Sequence, residues 1–89
     1  MKDELKELRK EIDQLNQELL KILSSRGKVV KKIGKIKQKK GMPIVDKDRE
    51  DEILNKIISQ YKGPYSSKQI KKIFREIFKQ SVALQKEDL

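Results

Sequence analysis

The first 40 residues carry an apolar side chain at nearly every third or fourth position, which is the spacing of one face of a helix. The apolar residues of this stripe are Leu5, Leu8, Ile12, Leu15, Leu19, Ile22, Val29, Ile33 and Ile36. No proline interrupts the stripe, so it predicts one helix over about residues 3–40, roughly 57 Å long. A chain of 89 residues is too short to cover such a helix, and we therefore expect a second chain to cover part of it.

Two shorter helices are predicted in the second half of the chain, over about residues 47–61 and about residues 67–86. Each break between helices contains a glycine followed within two residues by a proline. Asp46 is a good N-cap for the second helix, and Ser66 with Gln69 forms a capping-box pattern before the third. No segment shows the alternation of a strand. The predicted fold class is therefore all-α, with one long and two shorter helices.

The composition excludes several kinds of chemistry. The chain has no Cys and no His, which rules out disulfides, thiolate nucleophiles, catalytic triads and imidazole metal sites. No apolar run approaches the roughly 20 residues that a membrane span needs, and the charged N-terminus is unlike a signal peptide. These features predict a cytoplasmic protein whose residues 1–89 form a single domain.

The chain is strongly basic, with 23 Lys and Arg against 14 Asp and Glu, a formal net charge of +9. Residues 1–40 hold 13 of the cations and 6 of the anions. A basic coiled coil that binds nucleic acid is therefore one hypothesis. The chain has only two Phe and two Tyr for stacking and no known nucleic-acid motif, which argues against it.

Arg26 occupies the position between Ile22 and Val29 where the stripe requires an apolar residue. Lys37 lies eleven residues later, on nearly the same face and about 16 Å along the axis. Two cations on a buried face suit an anionic ligand held between helices. The alternatives are that Arg26 pairs with a Glu of another chain or extends to solvent, and that Lys37 is one more solvated lysine.

Polar residues also occupy the inward face of the third predicted helix, where Ser81 follows apolar neighbours by one turn and Gln85 follows Ser81 by another. Arg49 and Glu50 lie at the start of the second helix. The alternatives are a frayed C-terminus for the first pair and ordinary capping or surface pairing for the second. Taken together with Arg26 and Lys37, these residues predict a polar pocket inside a helical bundle.

Gly27 and Gly34 lie seven residues apart, on nearly one face of the first helix. Each costs about 1 kcal/mol relative to Ala in a helix interior. Close approach by another helix or by a ligand would explain them, and simple tolerance in a long helix is the alternative.

The pattern of these residues resembles the all-α (AroQ-type) chorismate mutases. The matching segments are LRKEIDQLNQELLKILSSRGKVVKKIGKIK, PIVDKDRE and IFREIFKQSVALQ, which together cover nearly the whole chain. The residues that match the active-site positions of the family are Arg9, Arg26, Lys37, Asp46, Arg49, Glu50, Ser81 and Gln85. The resemblance implies an intertwined helical homodimer that converts chorismate to prephenate, on the route to phenylalanine and tyrosine, without metal or cofactor.

The resemblance also implies a role for each of these residues. Arg26, Lys37, Glu50 and Gln85 are the implied catalytic residues, and Arg9, Asp46, Arg49 and Ser81 the implied substrate-binding residues. The two arginines that face the substrate carboxylates are Arg9 and Arg26, while Lys37 and Gln85 donate to the ether oxygen and Glu50 accepts from the ring hydroxyl. The expected apolar walls of the pocket are Ile33, Phe78 and Val82.

Two segments, SRGKVVKKIGKIK and YKGPYSSKQIKKIFREIF, resemble most closely the mutase domain that precedes 3-deoxy-D-arabino-heptulosonate 7-phosphate (DAHP) synthase in some bacteria. That resemblance implies an attached synthase in the full-length protein. It also leaves a regulatory alternative, in which the pocket binds prephenate or chorismate mainly to inhibit the synthase. Gly27 departs from this pattern, because many relatives carry a larger residue there.

Overall fold

The computed structural model describes residues 3–87, and the chain forms three helices. They are α1 (Glu4–Lys39), α2 (Lys47–Gln60) and α3 (Ser67–Lys86). Each predicted helix is present, and its ends lie within one residue of the predicted bounds. The prediction of an all-α fold with a long first helix is therefore confirmed.

Side chains cap the N-terminus of every helix. The Asp3 carboxylate begins α1 and the Asp46 carboxylate begins α2, where Asp46 Oδ1 accepts from the backbone N–H of Arg49 at 3.0 Å. Ser66 and Gln69 bond reciprocally at the start of α3, as the capping-box pattern predicts. The two predicted caps are thus confirmed, and they set where α2 and α3 begin.

The end of α1 depends on Gly41, whose φ of +67° lies in the left-handed region. The N–H of Met42 donates to the carbonyl of Lys37 at 2.8 Å, and the N–H of Gly41 donates to the carbonyl of Gln38 at 3.2 Å. This pair of bonds is a Schellman motif, in which glycine is favoured because it has no Cβ. The motif ends α1 and directs the chain into the loop that precedes α2.

Helix α3 packs against both α1 and α2 and so forms the centre of the fold. The buried apolar residues are Val30 of α1, Leu54 of α2, and Ile70 and Phe78 of α3. All of them lie along the part of α1 that α3 covers or along the α2–α3 contact, so the core occupies only one end of the long helix.

The other end of α1 leaves its apolar stripe exposed. Six large apolar residues in this part of the helix are each between 53% and 65% exposed: Leu5, Leu8, Ile12, Leu15, Leu19 and Ile22. The chain is 62 Å long but only 15 Å across its thinnest dimension. The expectation that this chain does not cover its own first helix is therefore confirmed.

Candidate active site

A cavity of about 320 Å³, open to solvent, lies between the second half of α1, the start of α2 and the second half of α3. Of the eight predicted site residues, seven line it: Arg26, Lys37, Asp46, Arg49, Glu50, Ser81 and Gln85. They come from positions as far apart as 26 and 85 in the chain, and the fold brings them together. The cavity is of the size that binds small molecules.

Arg26 is half-buried on α1 and reaches across to α3. Its Nη1 donates to the Ser81 hydroxyl at 2.6 Å, and that hydroxyl donates in turn to the carbonyl of Ile77 at 2.7 Å. The alternative of a guanidinium that extends to solvent is therefore wrong. Because Arg has five N–H donors, this contact orients Arg26 and leaves further donors for an anion in the cavity.

Lys37 is also half-buried, and its ammonium group is held in place by the loop after α1. The Lys37 Nζ donates to the carbonyl of Ile44 at 2.9 Å. An ammonium group has three N–H donors, so this bond positions the charge and leaves two donors free. The alternative of one more solvated lysine is wrong for this residue.

The start of α2 places three polar residues along the cavity, with different surroundings. The Asp46 carboxylate is the N-cap of α2. The guanidinium of Arg49 pairs with Glu52 at 2.7 Å on the surface, as the surface-pairing alternative predicted. Glu50 is half-buried, and within residues 3–87 its carboxylate forms no hydrogen bond or ion pair. Within the described residues, Glu50 is thus the hydrogen-bond acceptor at this end of the cavity whose carboxylate has no partner in the protein.

Gln85 carries a side-chain amide into the cavity from the last turn of α3. Its Nε2 donates to the carbonyl of Ser81 at a long 3.3 Å, and its Oε1 is buried without a partner among residues 3–87. Helix α3 continues to Lys86, so the alternative of a frayed C-terminus around Ser81 and Gln85 is wrong. A half-buried amide with a buried, unused Oε1 and a free N–H suits a polar ligand.

Apolar side chains complete the walls. Ile33, Phe78 and Val82 line the cavity as expected, and so do four further residues that were not predicted as walls: Val29, Val30, Ile44 and Ile53. Val29 and Val30 lie one turn after Arg26, so helical spacing from that residue would have found them. Ile44 lies in a loop, and no periodic pattern identifies its position.

Arg9 is the one predicted site residue that the fold does not bring to the cavity. It is exposed in the first half of α1, 17 residues before Arg26. At 1.5 Å per residue, this separation is about 25 Å along a continuous helix. Arg9 therefore cannot reach the cavity of its own chain.

Glycine accounts for the close packing of α1 on α3 at this site. A methyl group on Gly34 would lie 2.9 Å from Cγ of Gln85, and one on Gly27 would lie 3.4 Å from Cδ1 of Leu84. The prediction of close approach by another helix is confirmed for Gly34, whereas Gly27 is in ordinary contact.

Neither a metal site nor a membrane helix is found in the part of the chain that the structure describes. Within residues 3–87, no three acidic side chains lie close enough together to hold a metal ion. None of the three helices described is long and apolar enough to span a bilayer.

A cavity of this size, with two oriented cations, a free carboxylate and a half-buried amide, defines a helical protein that binds a small anionic molecule. Comparisons with known proteins specify the family. Residues 8–86 match the family described as chorismate mutase type II. The chorismate mutase of Methanocaldococcus jannaschii is 34% identical over 90 residues, which cover 100% of this chain and 91% of that protein.

Solved structures give the same result. Chorismate mutase (form II) from Thermus thermophilus has a TM-score of 0.93 and 39% identity, over 96% of this chain and 97% of that one. Chorismate mutase from Helicobacter pylori in complex with prephenate has a TM-score of 0.85 and 34% identity, over 91% and 88% of the two chains. The chain belongs to the chorismate mutase type II family. The reaction of this family is the isomerisation of chorismate to prephenate. That reaction needs a site for a small dianion, and this cavity is such a site.

Some relatives are much longer than this chain. The bifunctional chorismate mutase/prephenate dehydratase of Aquifex aeolicus is 42% identical over 88 residues, which cover 94% of this chain but 24% of that protein. The chain thus spans about a quarter of the length of such relatives. These relatives are mutases alone or mutase/dehydratase proteins, so the closer relation to the DAHP synthase type stays a prediction.

Proposed function

We propose that this chain rearranges chorismate to prephenate in the cavity between α1, α2 and α3, with no metal and no cofactor. The observation that carries the proposal is the convergence of Arg26, Lys37, Glu50 and Gln85 on one cavity of about 320 Å³. Two of these side chains are cations that donate hydrogen bonds to oxygen atoms of the protein, and within residues 3–87 the other two retain polar atoms without partners.

The reaction explains why such a site suffices. Chorismate is a dianion, and one carbon–oxygen bond of its ether breaks while one carbon–carbon bond forms in the same molecule. No group is transferred, so no nucleophile is needed. The protein has to hold a compact conformer of the substrate and to direct donors at the ether oxygen as negative charge develops there.

The proposed roles follow from the contacts of each side chain. Arg26, oriented by Ser81, pairs with one substrate carboxylate through its remaining N–H groups. Lys37, fixed by the carbonyl of Ile44, and Gln85 donate to the ether oxygen. Glu50 accepts from the ring hydroxyl. Each of the three donors has an N–H that no contact within the described residues uses.

Asp46, Arg49 and Ser81 are proposed as substrate-binding residues that act partly through others. Asp46 holds the first turn of α2, which carries Glu50 into the cavity. Arg49 has to exchange its surface contact with Glu52 for the substrate, and an exposed ion pair of this kind is worth little. The Ser81 hydroxyl binds a carboxylate if its proton turns from the carbonyl of Ile77 to the ligand.

The active unit is proposed to be an intertwined homodimer in which Arg9 of one chain completes the cavity of the other. Support comes from the exposed stripe of α1 and from a second, apolar depression of about 570 Å³ lined by residues such as Leu19, Leu23 and Ile77. Covering six half-exposed Leu and Ile side chains is worth roughly 5–10 kcal/mol before the cost of association. A second copy of α1 carries a complementary stripe of the required length.

The decisive experiment is to add the purified protein to chorismate, with a chelator present, and follow the loss of the chorismate absorbance. We expect multiple turnovers and prephenate as the product. The Arg26→Ala protein serves as the control for contaminating mutase. Binding of prephenate or chorismate without turnover would contradict catalysis and support the regulatory alternative. The attached DAHP synthase and the cytoplasmic location remain predictions, and the gene sequence beyond codon 89 tests the first.

A further inference from the structure

At Gly34, α1 and α3 lie closer together than a side chain on residue 34 would permit. A methyl group built on it would lie 2.9 Å from Cγ, 3.0 Å from Cβ and 3.2 Å from Cα of Gln85. The first two contacts involve the root of the side chain and the third involves the backbone, so no change of rotamer removes all of them. Any residue larger than glycine at position 34 therefore has to push the last turn of α3 away from α1.

Little else holds the Gln85 amide in position. Its single hydrogen bond, from Nε2 to the carbonyl of Ser81, is long at 3.3 Å, and its Oε1 is buried without a partner among residues 3–87. An amide with so few bonds is placed by packing. The packing surface beneath its Cβ and Cγ is the bare backbone of Gly34.

We infer that Gly34 is a positioning residue for the reaction: it sets how deeply the Gln85 amide enters the active-site cavity. Lys37, the other proposed donor to the ether oxygen, lies one turn after Gly34 on the same helix. The contact thus sets the spacing of these two donors across the cavity. This inference rests on the proposed function, in which both groups bind the ether oxygen in the transition state.

Gly27 provides a matched control on the same face of the same helix. A methyl group there would lie 3.4 Å from Cδ1 of Leu84, an ordinary contact with the flexible end of a side chain. Replacing either glycine by Ala raises the helix propensity of α1 by the same amount, about 1 kcal/mol. The two variants therefore differ mainly in what the added methyl group meets.

We expect Gly34→Ala to lower kcat about tenfold or more and to change KM much less, because Arg26 still binds the substrate. Gly27→Ala should keep kcat within about twofold of the unsubstituted chain. Because Gly27 also lines the apolar depression proposed to hold the second chain, native mass spectrometry checks that this variant remains a dimer. Circular dichroism checks that both variants remain helical. A wild-type kcat for Gly34→Ala would overturn the inference.

A double-mutant cycle separates positioning from general distortion. In a Gln85→Ala background, Gly34→Ala should lower kcat by no more than about twofold, because the amide that it misplaces is already absent. A methyl group on Gly34 would still meet Cβ and Cα of residue 85 in that background, so a purely structural disturbance would lower kcat in both backgrounds. Equal losses in the two backgrounds would overturn the inference.

Two further readouts keep the test decisive. If Gly34→Ala loses helix content, the same substitution in a Gln85→Gly background, which lacks Cβ and Cγ, should lose none relative to Gln85→Gly alone, and an equal loss would count against the contact. If the unsubstituted protein does not convert chorismate, the proposed function fails. The NMR resonances of the Gln85 side-chain amide then test whether Gly34 positions that amide. They should shift in Gly34→Ala but not in Gly27→Ala, and unchanged resonances would refute the positioning role.

Discussion

The two arginines proposed to bind the substrate carboxylates, Arg9 and Arg26, cannot serve the same cavity from one chain. They lie about 25 Å apart along α1 and about 100° apart around its axis, and chorismate is far too small to bridge them. If both contact one substrate, each site takes Arg26 from one chain and Arg9 from its partner. Two inactive variants, Arg9→Ala and Arg26→Ala, should therefore restore activity when their subunits exchange.

The expected recovery follows from counting sites. Random pairing of equal amounts makes about half of the dimers mixed. In each mixed dimer, one site has an intact Arg26 and an intact Arg9, and the other lacks both. About a quarter of all sites are then complete, so the mixture should reach about a quarter of the wild-type rate at the same total chain concentration.

The assay is the initial rate of chorismate loss after joint refolding, with native mass spectrometry to count mixed dimers. A matched control mixes wild type with the chain that carries both substitutions. In that mixture, neither site of a mixed dimer is complete, so the rate should fall from about half to about a quarter of wild type on exchange. Sites built within single chains would instead keep it at half.

The shared-site proposal is wrong if mixed dimers form and the rate of the complementing mixture stays at the parental level. It is also wrong if the control mixture keeps half of the wild-type rate. Either result would mean that Arg9 takes no part in the active site of the partner chain.

Three further predictions concern single groups and the overall charge. Arg26→Ala should lower kcat/KM about 10³-fold or more with the fold intact, because it removes a fixed cation that stabilises the transition state. A loss of less than about tenfold in kcat/KM, measured by steady-state kinetics, would contradict its role. Gln85→Glu can donate to the ether oxygen only when the new carboxyl is protonated, so its kcat should rise as pH falls below neutral, and a pH-independent kcat would argue against contact with that oxygen. The formal net charge of +9 should attract the dianionic substrate, so kcat/KM should fall between ~10 and ~300 mM salt while kcat stays nearly constant; equal values of kcat/KM would exclude such steering.

Local patterns were sufficient to predict the helices. The spacing of apolar residues, the caps at Asp46 and Ser66 and the breaks that contain glycine and proline act over three to four residues. They can therefore be interpreted without knowing which helices pack together. Arg26 also stands out locally, since it interrupts an apolar stripe. The resemblance to a family then supplied the remaining candidate residues, and seven of the eight line one cavity.

The contacts that orient those residues were decided only by the tertiary structure. The bond from Arg26 to Ser81 joins positions 55 apart, and the contact between Gly34 and Gln85 joins positions nearly as distant. The sequence marked Gly34 as unusual without showing which atoms approach it. The distance between two helices depends on how their side chains interdigitate, and that is a property of both surfaces together and not of either sequence segment alone.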